Sequence, residues 1–294
     1  MTTNETSTTQ TPTYENFKAE VWSKKINAGL DKTCVMLQCV NRDYQGDADN
    51  GTSQINIITP QEVTTGSYTG SIDSYGAAPS TKSQLKLNNS IYFGFSVPDI
   101  DQAQSNVSIM DAIVSKAKNA VESGIDTHLF NEYKKAAATN VIGTDSKRQS
   151  LTATNIYAQF VSLSKILKNT GAITPQNKGW VVIHPDVEEL LLLSKEFTSG
   201  LNVGDTTLTG GSIGKIAGLE VYVSNNVGKD ASGYTILAGT KDAITYASQI
   251  RKIETLRAQS SFDTIVRGLY TFGSLTLNPS ALAVIKASIG VEAE

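Results

Sequence analysis

The chain has 294 residues, of which 39% are hydrophobic and 18% charged, with a net charge of −3. That length allows two domains, or one elaborated domain, around a real core. The mild negative balance, with no basic tail, excludes sequence-wide DNA binding through phosphate neutralisation. Low charge and abundant Ser, Thr and Asn suit a protein much of whose surface is covered by other copies.

Residues 1–13 (MTTNETSTTQTPT) hold no basic region followed by an apolar run, so they do not read as a secretory signal. Nearly devoid of apolar side chains, they are predicted to be disordered alone. In 14–30, Tyr14, Phe17, Val21, Trp22, Ile26 and Leu30 form one helical stripe. If 33–40 (TCVMLQCV) is a strand, Cys34 and Cys39 lie about 16 Å apart on opposite faces and cannot bond to each other. Both read as buried thiols. Segment 41–53 is a turn-rich connection. Ile55 and Ile57 begin a strand that Pro60 ends, and 60–84 is a polar stretch.

Residues 85–97 alternate at almost every step. Leu85, Leu87, Ile91, Phe93, Phe95 and Val97 point one way, with Asn89 the single exception. This is strand period and predicts one strand of roughly 40 Å. The whole of 53–97 reads as one extended hairpin with a mobile tip. Ser108 and Asp111 form a capping-box start for a helix over 108–135, about 42 Å long, with Ile109, Ile113, Ala117, Ala120, Gly124 and Phe130 on its apolar face. Long, one-sided pieces like these are poor walls for a catalytic pocket. They suit a chain that buries its apolar face on a neighbour.

A polar stretch at 139–150 precedes an amphipathic helix marked by Ile156, Phe160, Leu163 and Leu167 and closed by Gly171. WVVI (180–183) is a buried strand, and Pro185 opens the next helix. The longest aliphatic run, LLLL at 190–193, is far short of the ~20 residues a bilayer span needs. A soluble protein made in a cytoplasm, with no membrane partner, is predicted. Residues 198–217 read as a Gly/Thr/Ser loop, followed by strands at 219–223, 234–238, near 250–258 and at 264–277. Helices and strands without regular βαβ alternation predict an α+β fold.

The chemical motifs are weak. GGSIGKIAG (210–218) fails the phosphate-loop pattern at Thr209 and Ile216. GDADNG (46–51) lacks a calcium ligand at Gly51. Asp99 and Asp101 sit at a strand-to-helix junction, where acids serve as caps. His128 and His184 have no nucleophile elbow nearby, and no cluster has zinc-ligand spacing. No cofactor and no enzymatic activity are predicted.

IYFGFSVPDIDQAQSNVSIMDAIVSKAKNAVESGIDTHLFNEY (91–133) joins an aromatic strand, a Val-x-Asp-x-Asp-x-Ala-Gln junction and a long helix bearing Ile-Asp. The segment resembles the major capsid proteins of tailed bacteriophages, which have the Hong Kong 97-type capsid fold. YENFKAEVWSKKINAGLDK (14–32), KIAGLEVYVSNNV (215–227) and 243–285 resemble, in order, the family's N-terminal arm, the strand after its variable loop and its returning C-terminal region. The resemblance implies an N-terminal arm at 1–40, an E-loop hairpin with flanks at 41–105 and a peripheral domain with its spine helix at 106–149. It further implies an axial domain at 150–249 and a return to the peripheral domain at 250–294. The implied function is a structural shell subunit. Copies would form hexamers and pentamers around double-stranded DNA, without sequence-specific binding, in a virion capsid assembled in the bacterial host cytoplasm. Scaffolding, portal or decoration proteins are the implied partners.

Trp22, Tyr68, Ile91, Phe93 and Phe95 are the expected arm and hairpin contacts, and Arg251, Arg257 and Arg267 the expected intersubunit ion-pair donors. Lys82 and Lys86 lie on the hairpin, but no partner Asn or catalytic Glu for a covalent crosslink is identified. Two other readings compete: an encapsulin-like compartment enclosing a protein cargo, and an enzyme with scattered site residues.

Overall fold

The computed structural model describes residues 35–49, 53–60, 80–98, 108–194, 212–226, 228–258 and 263–290. Its helices are α1 (Met36–Cys39), α2 (Gln45–Asp49), α3 (Ser108–Phe130), α4 (Ile156–Asn169) and α5 (Pro185–Leu193). Its strands are β1 (Gln54–Pro60), β2 (Ser80–Lys86), β3 (Asn89–Pro98), β4 (Val141–Ile142), β5 (Gln149–Leu151), β6 (Gly179–Ile183) and β7 (Ser212–Ile216). They continue with β8 (Leu219–Val223), β9 (Lys229–Asp230), β10 (Gly233–Thr240), β11 (Ile244–Arg257), β12 (Asp263–Thr276) and β13 (Leu282–Ile289). The mixture is α+β, as the absence of βαβ alternation predicts.

The chain divides into two compact units. One comprises 1–33, 91–121 and 250–270; the other comprises 34–90, 122–249 and 271–294. The second holds an eight-stranded mixed sheet with the path β4-β13-β10-β6-β8-β7, while β5 pairs β13 and β9 pairs β10. β6 pairs β8 in parallel and β10 antiparallel. All five residues of β6 are buried, which is why WVVI reads as an unbroken apolar run rather than an alternating one. Val181, Ile183, Ile236, Ala238 and Ile285 pack in one cluster with Phe160, Leu163 and Leu167 of α4 and Val187 and Leu191 of α5.

Local chemistry fixes the ends of these elements. After α4, the Ala172 N–H reaches the Leu167 carbonyl and the Gly171 N–H reaches that of Lys168. Gly171 takes φ +70°, the left-handed C′ residue of a Schellman cap. His184 caps α5, its Nδ1 accepting from the Asp186 N–H at 3.2 Å, with Pro185 at the first helical position.

Several sequence expectations are corrected. The strand expected over 85–97 is two strands: β2 ends at Lys86, β3 starts at Asn89, and they join different sheets. The alternation nevertheless keeps its parity across the break: Leu85 and Leu87 are buried and Ile91, Phe93 and Phe95 half-buried, while Tyr92 is exposed. Unbroken parity is therefore what made two strands look like one. The polar stretch 60–84 contains most of β2, and β1 and β2 pair from Gln54↔Lys86 to Pro60↔Ser80.

Segment 33–40 is not a strand. Met36–Cys39 is a helical turn with Cys39 buried, and Cys34 lies outside the described residues. The loop expected to 217 ends earlier, because Ser212–Ile216 is a strand. Ala217 (φ 51°) and Gly218 (φ +89°) turn it into β8 with Ile216 opposite Leu219. Two consecutive positive φ values match a type I′ hairpin, so SIGKIAG (212–218) is hairpin rather than phosphate loop.

The long helix ends at Phe130 and continues as a 3-10 turn over Asn131–Lys135. Val121, Ile125, Leu129 and Phe130 are its buried apolar residues, whereas Ala120 is exposed. The expected stripe was rotated because two carboxylates, Glu122 and Asp126, are also buried here. Asp126 is 1% exposed, and accepts from the Met36 N–H at 2.9 Å and the Ser224 hydroxyl at 3.0 Å. Hydropathy counts it as surface; its partners make it core.

Asp126→Ala would strand two buried donors. It is expected to cost about 2 kcal/mol in urea unfolding, since an unmade buried hydrogen bond costs roughly 1–3 kcal/mol. A loss below about 0.5 kcal/mol would mean water replaces the carboxylate.

Candidate assembly surfaces

The β1–β2 hairpin has one inner and one outer face. Ile55, Ile57, Leu85 and Leu87 cluster with Ala48 and Ala247, with Tyr44, Leu275 and Leu277 at the margin. Ile58 is 70% exposed on the opposite parity. Lys82 and Lys86 are exposed on β2, opposite Ile58 and Gln54.

The hairpin root crosses β12 closely. A Cβ at Gly273 would lie 2.2 Å from the Lys86 carbonyl oxygen, so only glycine allows this approach. Beside the crossing, the Ser274 hydroxyl donates to Glu132 Oε1 at 2.9 Å and that of Thr276 to Oε2 at 2.6 Å. Lys135 Nζ also meets Glu132 Oε1 at 2.9 Å. His128 Nε2 lies 3.0 Å from Ser274 Oγ and 3.4 Å from Asn89 Nδ2, and its ring sits edge-on to Phe272 at 5.1 Å. His128 is thus half-buried within its own subunit.

Burial pushes the Glu132 carboxyl up, but the Thr276, Lys135 and Ser274 donors outweigh it and hold it below the usual carboxylate range. Burial lowers the His128 pKa; Glu132 opposes that shift and Lys135 adds to it.

In the other unit, β11, β12 and β3 form a three-stranded sheet in that order. Val266, Gly268 and Tyr270 are buried, while Arg267 and Leu269 between them are exposed. Tyr92 is 81% exposed and Leu256 40%. Tyr92, Phe93, Glu254, Arg267, Gly268 and Leu269 line an open depression of about 400 Å³. Arg267 places Nε and Nη2 on Glu254 Oε2 at 2.8 and 2.6 Å. The Phe93 ring lies over Gly268, where a Cβ would come within 2.3 Å of it.

The expected contact residues therefore separate. Ile91, Phe93 and Phe95 are half-buried, and Phe93 already packs within its own subunit. Arg267 already holds an intrasubunit partner, and Arg257 is exposed. Trp22 and Tyr68, the side chain of Arg251, and Asp99 and Asp101 lie outside the described residues. Tyr92 was missed because parity placed it on the polar side of its strand. Its aromatic ring among Lys86, Asn88, Ser90 and Ser96 was the available signal.

Among the described residues no group of three or more His, Cys, Asp or Glu side chains could hold a metal ion. No helix there is long and apolar enough to cross a membrane. One dense polar cluster on the large sheet centres on Asp186, which accepts from Lys229 Nζ at 2.8 Å and the Tyr234 hydroxyl at 2.6 Å. Those two hydrogen bonds lower its carboxyl pKa. These hydrogen bonds tie α5 to β9 and β10.

Residues 90–285 match the family model described as phage capsid protein. Among solved structures, the chain is similar to one from Mycobacterium phage Che8, at 24% identity over 83% of this chain and 88% of that one, with a TM-score of 0.66. It is also similar to the capsid of cyanophage P-SCSP1u, at 15% identity over 81% and 84%, with a TM-score of 0.63. A virus-like particle from Pyrococcus furiosus shares the fold at 11% identity over 92% and 99%, with a TM-score of 0.56. No curated protein matches the chain.

Proposed function

This chain belongs to the phage capsid protein family, and from that premise we propose how its parts build a shell. It is a major capsid subunit with the Hong Kong 97-type fold, a structural protein that associates with copies of itself in a virion capsid. The proposal assigns residues 1–40 to an arm, 41–105 to the E-loop hairpin and its flanks, and 106–149 to the peripheral domain. Residues 150–249 are assigned to the axial domain and 250–294 to the return segment. Trp22, Tyr68, Ile91, Phe93 and Phe95 meet neighbouring subunits, Tyr92 joins them, and Arg251, Arg257 and Arg267 supply rim charges.

Head-to-tail contacts of this kind close into rings, and rings of five and six tile a shell. Each contact can be weak because every subunit makes many. The shell encloses double-stranded DNA without reading its sequence, consistent with the net charge of −3. Assembly takes place in the bacterial host cytoplasm with scaffolding, portal or decoration proteins, and the subunit performs no catalysis. The family match across 90–285 carries the reading.

Negative-stain imaging of purified protein, with a scaffolding partner where required, is expected to show closed shells or capsomers. A compact monomer that persists at high concentration under every assembly condition would overturn it. Nucleic acid rather than protein inside purified particles separates the genome shell from an encapsulin-like compartment. Tyr92→Ala should shift subunit stability by no more than about 0.5 kcal/mol, as for an exposed side chain, yet raise the concentration needed for assembly. Unchanged assembly would remove Tyr92 from the interface.

A further inference from the structure

One histidine, His128 of α3, stands beside the hairpin root. Its geometry fixes the proton positions. The Glu132 carboxylate only accepts, so the Ser274 hydroxyl proton points at Oε1, 2.9 Å away. Ser274 therefore turns a lone pair to His128 Nε2 at 3.0 Å, and the ring donates its Nε2 proton there, so the Asn89 amide nitrogen 3.4 Å from Nε2 packs against the ring rather than donating to it. A second proton can be added only at Nδ1.

Three elements meet at this ring. α3 with its 3-10 extension presents Glu132 and Lys135, β12 presents the uncharged Phe272, Ser274 and Thr276, and the β2–β3 link presents the uncharged Asn89. Asn89 lies three residues past Lys86, whose carbonyl fills the space a side chain at Gly273 would need. The histidine thus sits where the hairpin leaves the body of its unit.

We propose that His128 is a proton-operated latch on the root of the β1–β2 hairpin: the neutral ring keeps the root closed and the imidazolium loosens it. The sign follows from burial, which holds the folded-state pKa below the ordinary 6.5. The open root takes up the proton first, so closure is complete above about pH 6.5 and weakens as the pH falls through that value toward the folded pKa. Glu132 keeps its charge through this window because its own pKa is lowered. The latch is a property of the subunit fold, readable whether or not shells form. In a shell, it would make the hairpin's freedom to move depend on pH.

Hydrogen exchange on the full-length, unassembled subunit at pH 7.5 and 5.5, corrected for intrinsic rates, tests this. Peptides covering 82–90 should lose protection at the lower pH, as a histidine whose folded-state pKa is lowered requires. Those covering β6 should not change. His128→Gln keeps an N–H for Ser274 but binds no proton, so its root should be indifferent to pH. A wild-type root indifferent to pH, or an unaltered response in the Gln variant, overturns the proposal. If that variant fails to fold, labelled-histidine NMR of the wild type decides. The chain has two histidines, and His184→Asn, itself a good helix cap, assigns them. A His128 pKa at or above 6.5 overturns the latch equally.

Discussion

Gly273→Val is expected to leave almost no folded, soluble subunit. A Cβ at 273 would lie 2.2 Å from the Lys86 carbonyl oxygen, 2.9 Å from its carbon and 3.2 Å from the Leu87 Cα. All three are backbone atoms, so no rotamer change relieves the overlap. Either β12 or the hairpin root must move, and the root carries Leu85 and Leu87, which are 0% and 5% exposed. Overpacking typically costs about 1–3 kcal/mol and sometimes more; here the upper end or beyond is expected, against a total stability of about 5–15 kcal/mol. Gly46→Ala is the control. It lies in α2 with nothing within 4 Å of an added Cβ, and its effect should stay within about 1 kcal/mol. Soluble yield and the urea midpoint read both. A Gly273→Val subunit as stable as wild type would mean the crossing is looser than drawn.

The same crossing marks the boundary between what the sequence reveals and what it hides. Periodicity located β1 and α4 because each buries a face made of apolar residues in regular order, and β6 showed as an unbroken apolar run, whereas most of β2 lay hidden in a polar stretch. It did not reveal that Leu87 and Asn88 separate two sheets, since parity does not change there. Nor did it foresee β13, whose residues Leu282–Ile289 pair with β10 and β5 at the far end of the chain; long-range pairing leaves no local trace. The buried face of α3 was displaced because Asp126 is held by a backbone N–H and a hydroxyl from distant segments. Resemblance led to the family, whereas the polar groups at the root, Glu132, His128 and Ser274, are scattered in sequence and gain meaning only once folded together. The exposure of Tyr92 was legible from its polar parity, but a single exposed aromatic is ordinary on a protein surface and marks no contact by itself.

Removing residues 61–79 and joining Pro60 to Ser80 through Asn-Gly should leave the subunit folded and abolish shells. Pro60 and Ser80 are the last pair of the β1–β2 ladder among the described residues. A two-residue Asn-Gly turn fits that gap, because its positive φ values match the twist of paired strands. Among the described residues, the buried side chains of the hairpin, Ile55, Ile57, Leu85 and Leu87, lie outside the deletion and keep their cluster. Closing a shorter loop is also cheaper, by about 0.6 kcal/mol per halving of length, so the urea midpoint should hold or rise. What the variant loses is reach, together with Tyr68, and no residue left on the hairpin replaces either. Circular dichroism should match the wild type, while electron microscopy should show free subunits or small rings where the wild type gives shells. Unfolding would mean that 61–79 is part of the core. Normal shells would mean that the tip joins no neighbours, and the contacts would then have to lie on the Tyr92 face and the arm alone.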